Sequence, residues 1–409
     1  MIIIADDLTG ANDTAIQYRK RGYTTIVETL STQKSDISLY DEYQVVACNT
    51  NSRALSRNVA YDRVFQTTIS CLAARDERIY KKVDSMLRGN PGIELDAVMD
   101  ASKINLAFVA PAYPQNGRIV EDGVLAVQGT IVNAGDLFLR EMRHKVERVD
   151  LSLLKQSPKI VKMHILKRCH AGIQVFLFDS QSEADLLKIA QLSENIGIQN
   201  ICCGSAGFAF YVGNDEPADN TPPSYKLKNV SNPIGIVCGT RNQNTRMQIE
   251  YAANKYKQPL FLFESESAHS AGPQRELIAS IEKQLNAGAK ELFLAVSGMY
   301  ETISFDLQNS ESRSDKAHKI ATDLGRTMHQ IFIHHQLKGI IATGGDTALQ
   351  VCKALGAHGI VPLEELAPGI PLGIMVGGVA EGVLLITKSG GFGEKEIIEE
   401  SIELIRRKS

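Results

Sequence analysis

The alternation of short apolar runs with longer amphipathic stretches is the feature of this sequence that most limits its fold. Apolar runs at residues 2–5, 45–48 and 106–110 are each bounded by polar loops and separated by helical patterns. Parallel strands need long crossover connections, which are usually helices, so strands that alternate with helices favour a parallel sheet. The sequence therefore predicts an α/β fold in which each domain is a mostly parallel sheet flanked by helices.

A polar segment that contains four prolines divides the chain at residues 214–233, and the strand–helix alternation starts again after it. This composition is typical of a linker between domains. A chain of 409 residues also exceeds the size at which a single hydrophobic core usually stops growing. We therefore predict two α/β domains, residues 1–215 and 234–409, joined by a linker at 216–233, with a cleft between them.

The charge balance limits the classes of partner. The formal net charge is -3, so no overall field favours nucleic acid or an anionic membrane, and an anionic substrate would need a local basic pocket. No apolar run reaches the roughly 18 residues that span a bilayer.

The seven cysteines are odd in number and lack zinc-site spacing, which indicates reduced cysteines in a cytoplasmic protein without a metal centre of its own. A homo-oligomer is compatible with these properties.

The first polar loop, residues 5–13, follows the first predicted strand and opens a helix. Ligands of open α/β sheets bind at the carboxyl ends of strands. The pair Asp6 and Asp7 could bind sugar hydroxyls, hold a cation or act as a base. Neighbouring strand residues point to opposite faces, so we expect one of the two carboxylates to enter the site. The alternative is that one aspartate caps the helix and the other is solvated.

The second polar loop, residues 81–90, lies between a predicted strand and a helix that starts with proline. It contains a lysine ammonium, an arginine guanidinium, a carboxylate and short polar side chains, which suit the recognition of a hydroxylated carboxylic acid. A solvated charged loop is the alternative. The candidate substrate-binding residues of this loop are Lys82, Val83, Asp84, Ser85, Arg88 and Asn90. Two arginines that follow other predicted strands, Arg53 and Arg118, could join the same site.

Three glycine-containing loops occupy strand-to-helix junctions of the second domain, at residues 238–242, 343–347 and 388–393. Glycine lets the backbone approach a phosphate, and a helix N-terminus presents free N–H groups and positive potential. None of the three loops matches the Walker pattern or the dinucleotide fingerprint. Together they predict a nucleotide site of another type.

Taken together, these motifs resemble the four-carbon acid sugar kinase family, whose members phosphorylate acids such as threonate, erythronate and 3-oxo-tetronate. The resemblance covers nearly the whole chain in the expected order. It is carried by the motifs at residues 5–11, 82–90, 111–118, 344–347 and 388–393. It implies that the N-terminal domain binds the sugar acid and that the C-terminal domain binds ATP.

The resemblance also assigns residues. It implies that Asp7, Arg53 and the stretch 82–85 bind the acid. The residues it assigns to ATP are Thr240, Asn242, Gly344, Gly345, Asp346, Thr347, Gly390 and Gly391. The chain departs from the family pattern at Asn242, where a serine is usual, and at Met86, where a threonine is usual.

The implied reaction is in-line transfer of the γ-phosphoryl group of ATP, with Mg²⁺ carried mainly by the nucleotide phosphates. Arg88 and Lys82 would hold the carboxylate and the developing charge. Asp7 or Asp84 would orient or deprotonate the acceptor hydroxyl, and Asp346 is a rival candidate for the base.

Two other function classes stay open at this point. A non-catalytic sugar-acid sensor with two lobes would need no nucleotide, and the three glycine loops count against it. An aldolase or dehydrogenase could act on the same acids, with Lys82 forming a Schiff base. The absence of a dinucleotide fingerprint counts against the dehydrogenase.

Overall fold

The computed structural model describes residues 1–30, 40–75, 78–127, 130–213, 227, 232–264, 271–300 and 310–408. The chain divides into two compact units, Met1–Pro222 and Pro223–Ser409. Of the linker predicted at 216–233, only residues 227, 232 and 233 are among those described. The predicted linker and domain bounds therefore stay a prediction.

The first unit contains eleven described strands. They are β1 (Ile2–Ala5), β2 (Thr25–Glu28), β3 (Val45–Asn49), β4 (Ile79–Lys82), β5 (Ala107–Ala110), β6 (Ile119–Glu121), β7 (Val124–Val127), β8 (Thr130–Asn133), β9 (Val146–Val149), β10 (Val175–Phe178) and β11 (Ile201–Gly204). Its described helices are α1 (Leu8–Lys20), α2 (Arg57–Ala74), α3 (Pro91–Ser102), α4 (Ala134–Glu141), α5 (Leu151–Leu154), α6 (Pro158–His170), α7 (Glu183–Asn195) and α8 (Ala206–Ala209).

Eight of these strands form a parallel sheet in the order β2-β3-β1-β4-β11-β5-β10-β9. The central strands are buried along their whole length, as expected for a parallel sheet with both faces covered by helices. The strands β6, β7 and β8 form a separate antiparallel sheet.

The second unit has seven described strands and five described helices. The strands are β12 (Ile234–Cys238), β13 (Leu260–Phe263), β14 (Glu291–Val296), β15 (Gly339–Thr343), β16 (Gly359–Ala367), β17 (Ile370–Val376) and β18 (Leu384–Lys388). The helices are α9 (Gln243–Tyr256), α10 (Ala271–Asn286), α11 (Ser310–His335), α12 (Gly345–Ala354) and α13 (Ile397–Arg407).

The sheet of the second unit runs in the order β13-β14-β12-β15-β18-β17-β16. Its first five strands are parallel, whereas β17 and β16 are antiparallel to their neighbours. Both units are thus α/β with mostly parallel sheets, which confirms the predicted fold class. No helix among the described residues is long and apolar enough to cross a membrane.

The hairpin formed by β16 and β17 was not predicted from the sequence. Two irregularities shift its pairing, between Pro362 and Glu364 and between Glu365 and Ala367. Bulges of this kind add an unpaired residue and interrupt the two-residue alternation that marks a strand. The second half of β16 is also only half-buried. Its polar sequence therefore resembles that of a loop.

Candidate functional site

The polar loops of the first unit follow three strands that are neighbours in the sheet. Strand β1 pairs with β3 on one side and with β4 on the other, and Ala5 is level with both Asn49 and Lys82. The chain order reverses at this place, which is where open α/β sheets bind their ligands. The loops after β1, β3 and β4 therefore meet at one edge of the sheet.

Arg53 lies at the centre of this edge and binds two carboxylates. Its Nε donates to Oδ2 of Asp6 at 2.7 Å, and its Nη1 donates to Oδ2 of Asp7 at 2.7 Å. Its Nη2 donates to Oδ1 of Asp6 at 3.0 Å and to Oδ1 of Asp7 at 2.8 Å. Burial alone would raise the pKa of Asp6, but the charge and hydrogen bonds of Arg53 outweigh it and hold that pKa below its ordinary value.

The expectation that only one of the two aspartates enters this site is wrong. Strand β1 ends at Ala5, so the alternation of faces does not extend to Asp6 and Asp7. Asp7 caps α1 by accepting from the N–H of Gly10 at 2.8 Å, and it also accepts from the hydroxyl of Thr9 at 2.6 Å. Asp6 is buried, so it is not a solvated neighbour of a capping residue.

The two lysines at the end of β4 have different surroundings, because neighbouring strand residues face opposite sides of the sheet. Lys81 is fully buried and pairs with Oε2 of Glu94 at 2.9 Å. Burial lowers the pKa of Lys81, but the Glu94 carboxylate more than offsets this and raises it. Lys82 is turned toward the start of α1, where a Cβ on Gly10 would lie 3.0 Å from its Nζ.

Asp84 and Arg88 form a two-bond ion pair in the loop after β4. Nε and Nη2 of Arg88 each lie 2.8 Å from an oxygen of Asp84. Oδ2 of Asp84 also accepts from the backbone N–H groups of Met86 at 3.1 Å and Arg88 at 3.3 Å. Burial would raise the pKa of Asp84, but the Arg88 hydrogen bond and the charges of Arg53 and Arg88 hold it well below the ordinary range. Asp84 is therefore a weak base.

The remaining predicted acid-binding residues differ in their surroundings. Asn90 donates to the carbonyl of Leu55 at 3.0 Å, which ties two loops together. Burial lowers the pKa of Arg118, and the charge of Asp84 acts on it in the opposite direction. Two further residues of the loop, Val83 and Ser85, are buried.

The three glycine loops of the second unit also follow neighbouring parallel strands. Strand β15 lies between β12 and β18, and Thr343 is level with both Cys238 and Lys388. The N–H of Gly344 donates to the carbonyl of Lys388 at 2.9 Å. The loops therefore meet at one edge, beside the first turns of α9 and α12.

Glycine is required where these loops touch. A Cβ on Gly239 would lie 1.9 Å from Oγ1 of Thr347, and a Cβ on Gly390 would lie 2.8 Å from Oγ1 of Thr240. Real Cβ atoms do not approach other atoms so closely, so the close packing of the loops depends on both glycines. Gly344, with φ of +97°, caps α12.

The same edge carries the other residues assigned to ATP. Asn242 caps α9 by accepting from the N–H of Asn244 at 2.9 Å, and Gly345 and Asp346 begin α12. Gly391 faces the amide of Asn242. Two helix N-termini at one edge give the positive potential that favours phosphate.

Sequence reasoning assigned no role to two buried lysines, Lys81 and Lys388. Each has a charged side chain at or directly after the end of a strand, and that position is the signal that could have identified them. Within the described residues, no group of three or more histidine, cysteine, aspartate or glutamate side chains could hold a metal ion.

The fold and the two loop clusters describe a protein with one α/β unit that carries paired carboxylates and cations, and another in which glycine loops pack beside two helix N-termini. The model of a sugar-binding N-terminal domain matches residues 1–137 and 133–212. The model of a nucleotide-binding C-terminal domain matches residues 236–398. The chain belongs to the four-carbon acid sugar kinase family.

Curated relatives extend over nearly the whole chain. A D-threonate kinase of Bordetella bronchiseptica is 28% identical, over 99% of this chain and 97% of its own length. A D-erythronate kinase of Heliobacterium modesticaldum is 25% identical, over 97% of this chain and 94% of its own length. A solved structure from Salmonella typhimurium LT2 has a TM-score of 0.76 at 18% identity, with 98% of each chain covered. That likeness shows the fold alone.

Proposed function

We propose that this chain is an ATP-dependent kinase that phosphorylates a hydroxyl of a four-carbon sugar acid of the threonate, erythronate or 3-oxo-tetronate type. The observation that carries the proposal is the close packing of three glycine loops beside α9 and α12, in the unit that matches a nucleotide-binding model. Support for the acid as acceptor comes from the carboxylate–cation cluster in the unit that matches a sugar-binding model.

The nucleotide phosphates would bind the backbone of the three loops. The N-termini of α9 and α12 would supply N–H groups and positive potential. Thr240 and Thr347 would add hydroxyl donors, and the Gly390–Gly391 backbone would cover the phosphates. Mg²⁺ would be coordinated mainly by the phosphates and would neutralise the charge that develops during transfer.

The carboxylate of the acid would bind Arg88. This side chain is 58% exposed, and Asp84 holds one edge of its guanidinium through Nε and Nη2. The opposite edge, which carries Nη1, is the part that we assign to the substrate. A planar guanidinium can bind two carboxylates at different edges, so Asp84 would fix its orientation rather than compete with the acid. Lys82 would add a second positive charge.

Asp7 and Asp84 would orient the hydroxyls of the acid. Both carboxylates already accept several hydrogen bonds, and the lowered pKa of Asp84 makes it a poor proton acceptor. Asp346, which is exposed in the first turn of α12, is our candidate for the base. Phosphoryl transfer depends more on positioning and charge neutralisation than on a strong base.

The test is an assay of ADP release over a panel of four-carbon acids that includes both epimers of each aldonic acid and the 3-oxo acid. We expect one or a few acids to stimulate ADP release in the presence of ATP and Mg²⁺. Tight binding of an acid with no ADP release would indicate a sensor instead. A product that arises without ATP would indicate an aldolase or dehydrogenase.

A further inference from the structure

Lys388, the last residue of β18, is a buried cation in the second unit. It is 1% exposed, and its Nζ donates to the carbonyl of Ser389 at 3.0 Å, the carbonyl of Gly390 at 3.3 Å and Oγ1 of Thr245 at 3.3 Å. Within the described part of the chain, no carboxylate lies at ion-pair distance from it. A buried charge without a counter-ion destabilises a fold, which suggests that Lys388 serves a function.

The three bonds of Lys388 connect the glycine loop to α9. Thr245, in the first turn of α9, is fully buried, and its hydroxyl donates to the carbonyl of Gly390 at 2.8 Å. Lys388 and Thr245 thus hold the same carbonyl from two directions. The opposite side of Gly390 packs on Thr240 and Asn242, so its position is fixed on both sides.

We propose that Lys388 is a positioning residue of the nucleotide site, whose ammonium fixes the Ser389–Gly390 backbone against α9 and places a positive charge beneath the phosphate-binding loop. This inference rests on the proposed binding of ATP by the three loops. Lys388 acts through the Gly390 backbone and not by contact with the reacting atoms.

The side chain of Lys388 loses its positive charge at mildly alkaline pH. Burial lowers its pKa to about 8, and Cys238 on β12 acts weakly in the opposite direction. Burial raises the pKa of Cys238 to about 11, so this thiol stays neutral where Lys388 titrates. The other neighbours, Thr245 on α9 and Thr343 on β15, are uncharged.

Loss of the proton removes one donor and the positive charge. Nucleotide affinity should therefore decrease as the pH rises through the pKa of Lys388. Bound phosphates favour the ammonium, so nucleotide binding should also take up a proton above pH 8. A residue with only a structural role would produce neither effect.

The experiment is calorimetric titration with a non-hydrolysable ATP analogue and Mg²⁺ at pH 7.0, 8.0 and 9.0, in buffers of different ionisation enthalpy. For the wild type we expect a Kd at least fivefold higher at pH 9.0 than at pH 7.0, with proton uptake. Lys388→Met should raise the Kd at pH 7.0 at least tenfold and remove most of the pH dependence. In steady-state kinetics, the KM of Lys388→Met for the acid should differ less than twofold from that of the wild type.

Two variants sharpen the result. Lys283→Met makes the same change at an exposed position of α10 and should behave as the wild type. Thr245→Val should also raise the Kd, and the effects of Thr245→Val and Lys388→Met should not be additive, because both act on the Gly390 carbonyl. If Lys388→Met does not fold, Lys388→Arg tests whether Lys388 causes the pH dependence. Arginine keeps its proton at pH 9.0, so the pH dependence should disappear.

The outcomes separate the two proposals. A folded Lys388→Met protein with wild-type nucleotide affinity and wild-type pH dependence would overturn the role of Lys388 and leave the kinase proposal intact. The same conclusion would follow from a Lys388→Arg protein with unchanged pH dependence. Failure of the wild type to bind any nucleotide would overturn the proposed function, and this inference with it.

Discussion

Arg53 binds Asp6 through a two-bond fork, with Nε 2.7 Å from Oδ2 and Nη2 3.0 Å from Oδ1. Asp6 thereby orients the guanidinium whose remaining N–H groups bind Asp7. Arg53 also approaches Asp84, with Nη2 3.6 Å from Oδ1. Arg53 is therefore hydrogen-bonded to Asp6 and Asp7 and lies at ion-pair distance from Asp84, which Arg88 holds from another side.

Asp6→Asn tests this arrangement. The amide keeps the shape of the side chain but removes its charge and one acceptor, so Arg53 loses part of its support. We expect the KM for the acid to rise about tenfold or more, which is about 1.4 kcal/mol of binding free energy, with the KM for ATP unchanged. Asp62→Asn, on an exposed face of α2, is the matched control. An equal rise of the KM for the acid and the KM for ATP in Asp6→Asn would contradict the assignment of this carboxylate cluster to acid binding.

Arg88→Ala tests the proposed carboxylate contact. Hydrogen bonds to a charged group typically contribute about 1.5–3 kcal/mol, so the KM for the acid should rise roughly tenfold to a hundredfold. The KM for ATP should stay within about twofold, a margin of roughly 0.4 kcal/mol. The control is Arg140→Ala, an exposed arginine of α4. Steady-state kinetics with each substrate varied in turn gives both constants.

Gly10→Ala tests the crowding at the start of α1. The new Cβ would lie 2.7 Å from Oδ1 of Asp7 and 3.0 Å from Nζ of Lys82, so these two groups must shift. Alanine favours a helix over glycine by about 1 kcal/mol, which should offset part of the strain. We expect a higher KM for the acid with little change in the free energy of unfolding. Gly135→Ala, whose Cβ would meet only ordinary contacts at the start of α4, should leave the KM for the acid unchanged and should not lower the free energy of unfolding, because no strain offsets the helix preference of alanine.

Asp84→Asn tests the contribution of a carboxylate with a lowered pKa to stability. Such a group stabilises the fold fully above its unfolded pKa of about 3.9, and the stabilisation is lost as the pH falls through the lower folded pKa. The wild type should therefore lose more unfolding free energy between pH 7 and pH 2 than Asp84→Asn does. Urea unfolding at several pH values measures this difference. If the unfolding free energy of both proteins changes with pH by the same amount, Asp84 does not contribute to stability as proposed.

Gly239→Ala tests the contact between two glycine loops. Because its Cβ would lie 1.9 Å from Oγ1 of Thr347, we expect a loss of about 1–3 kcal/mol in unfolding free energy and much weaker ATP binding. The double variant Gly239→Ala/Thr347→Ala removes the clashing atom and should recover part of the stability. No recovery in thermal or urea unfolding would show that the strain arises elsewhere.

Much of the fold and the location of both loop clusters could be predicted, because strand-to-helix junctions have clear local signals. The loop after β1 and the loop after β4 were found in this way, as were the three glycine loops. The β16–β17 hairpin was missed because bulges at Pro362–Glu364 and Glu365–Ala367 interrupt its alternation. Local patterns do not record such shifts in register.

The α/β class, the carboxylates and cations of the N-terminal loops, and the glycines of the C-terminal loops all follow from the amino-acid sequence. Which charged groups meet depends on the tertiary structure. It paired Arg53 with both Asp6 and Asp7, Lys81 with Glu94, and Lys388 with the backbone of its own loop. The physical reason is that strand order and register place distant loops side by side, and residues 47 positions apart can meet only when β1 and β3 pair.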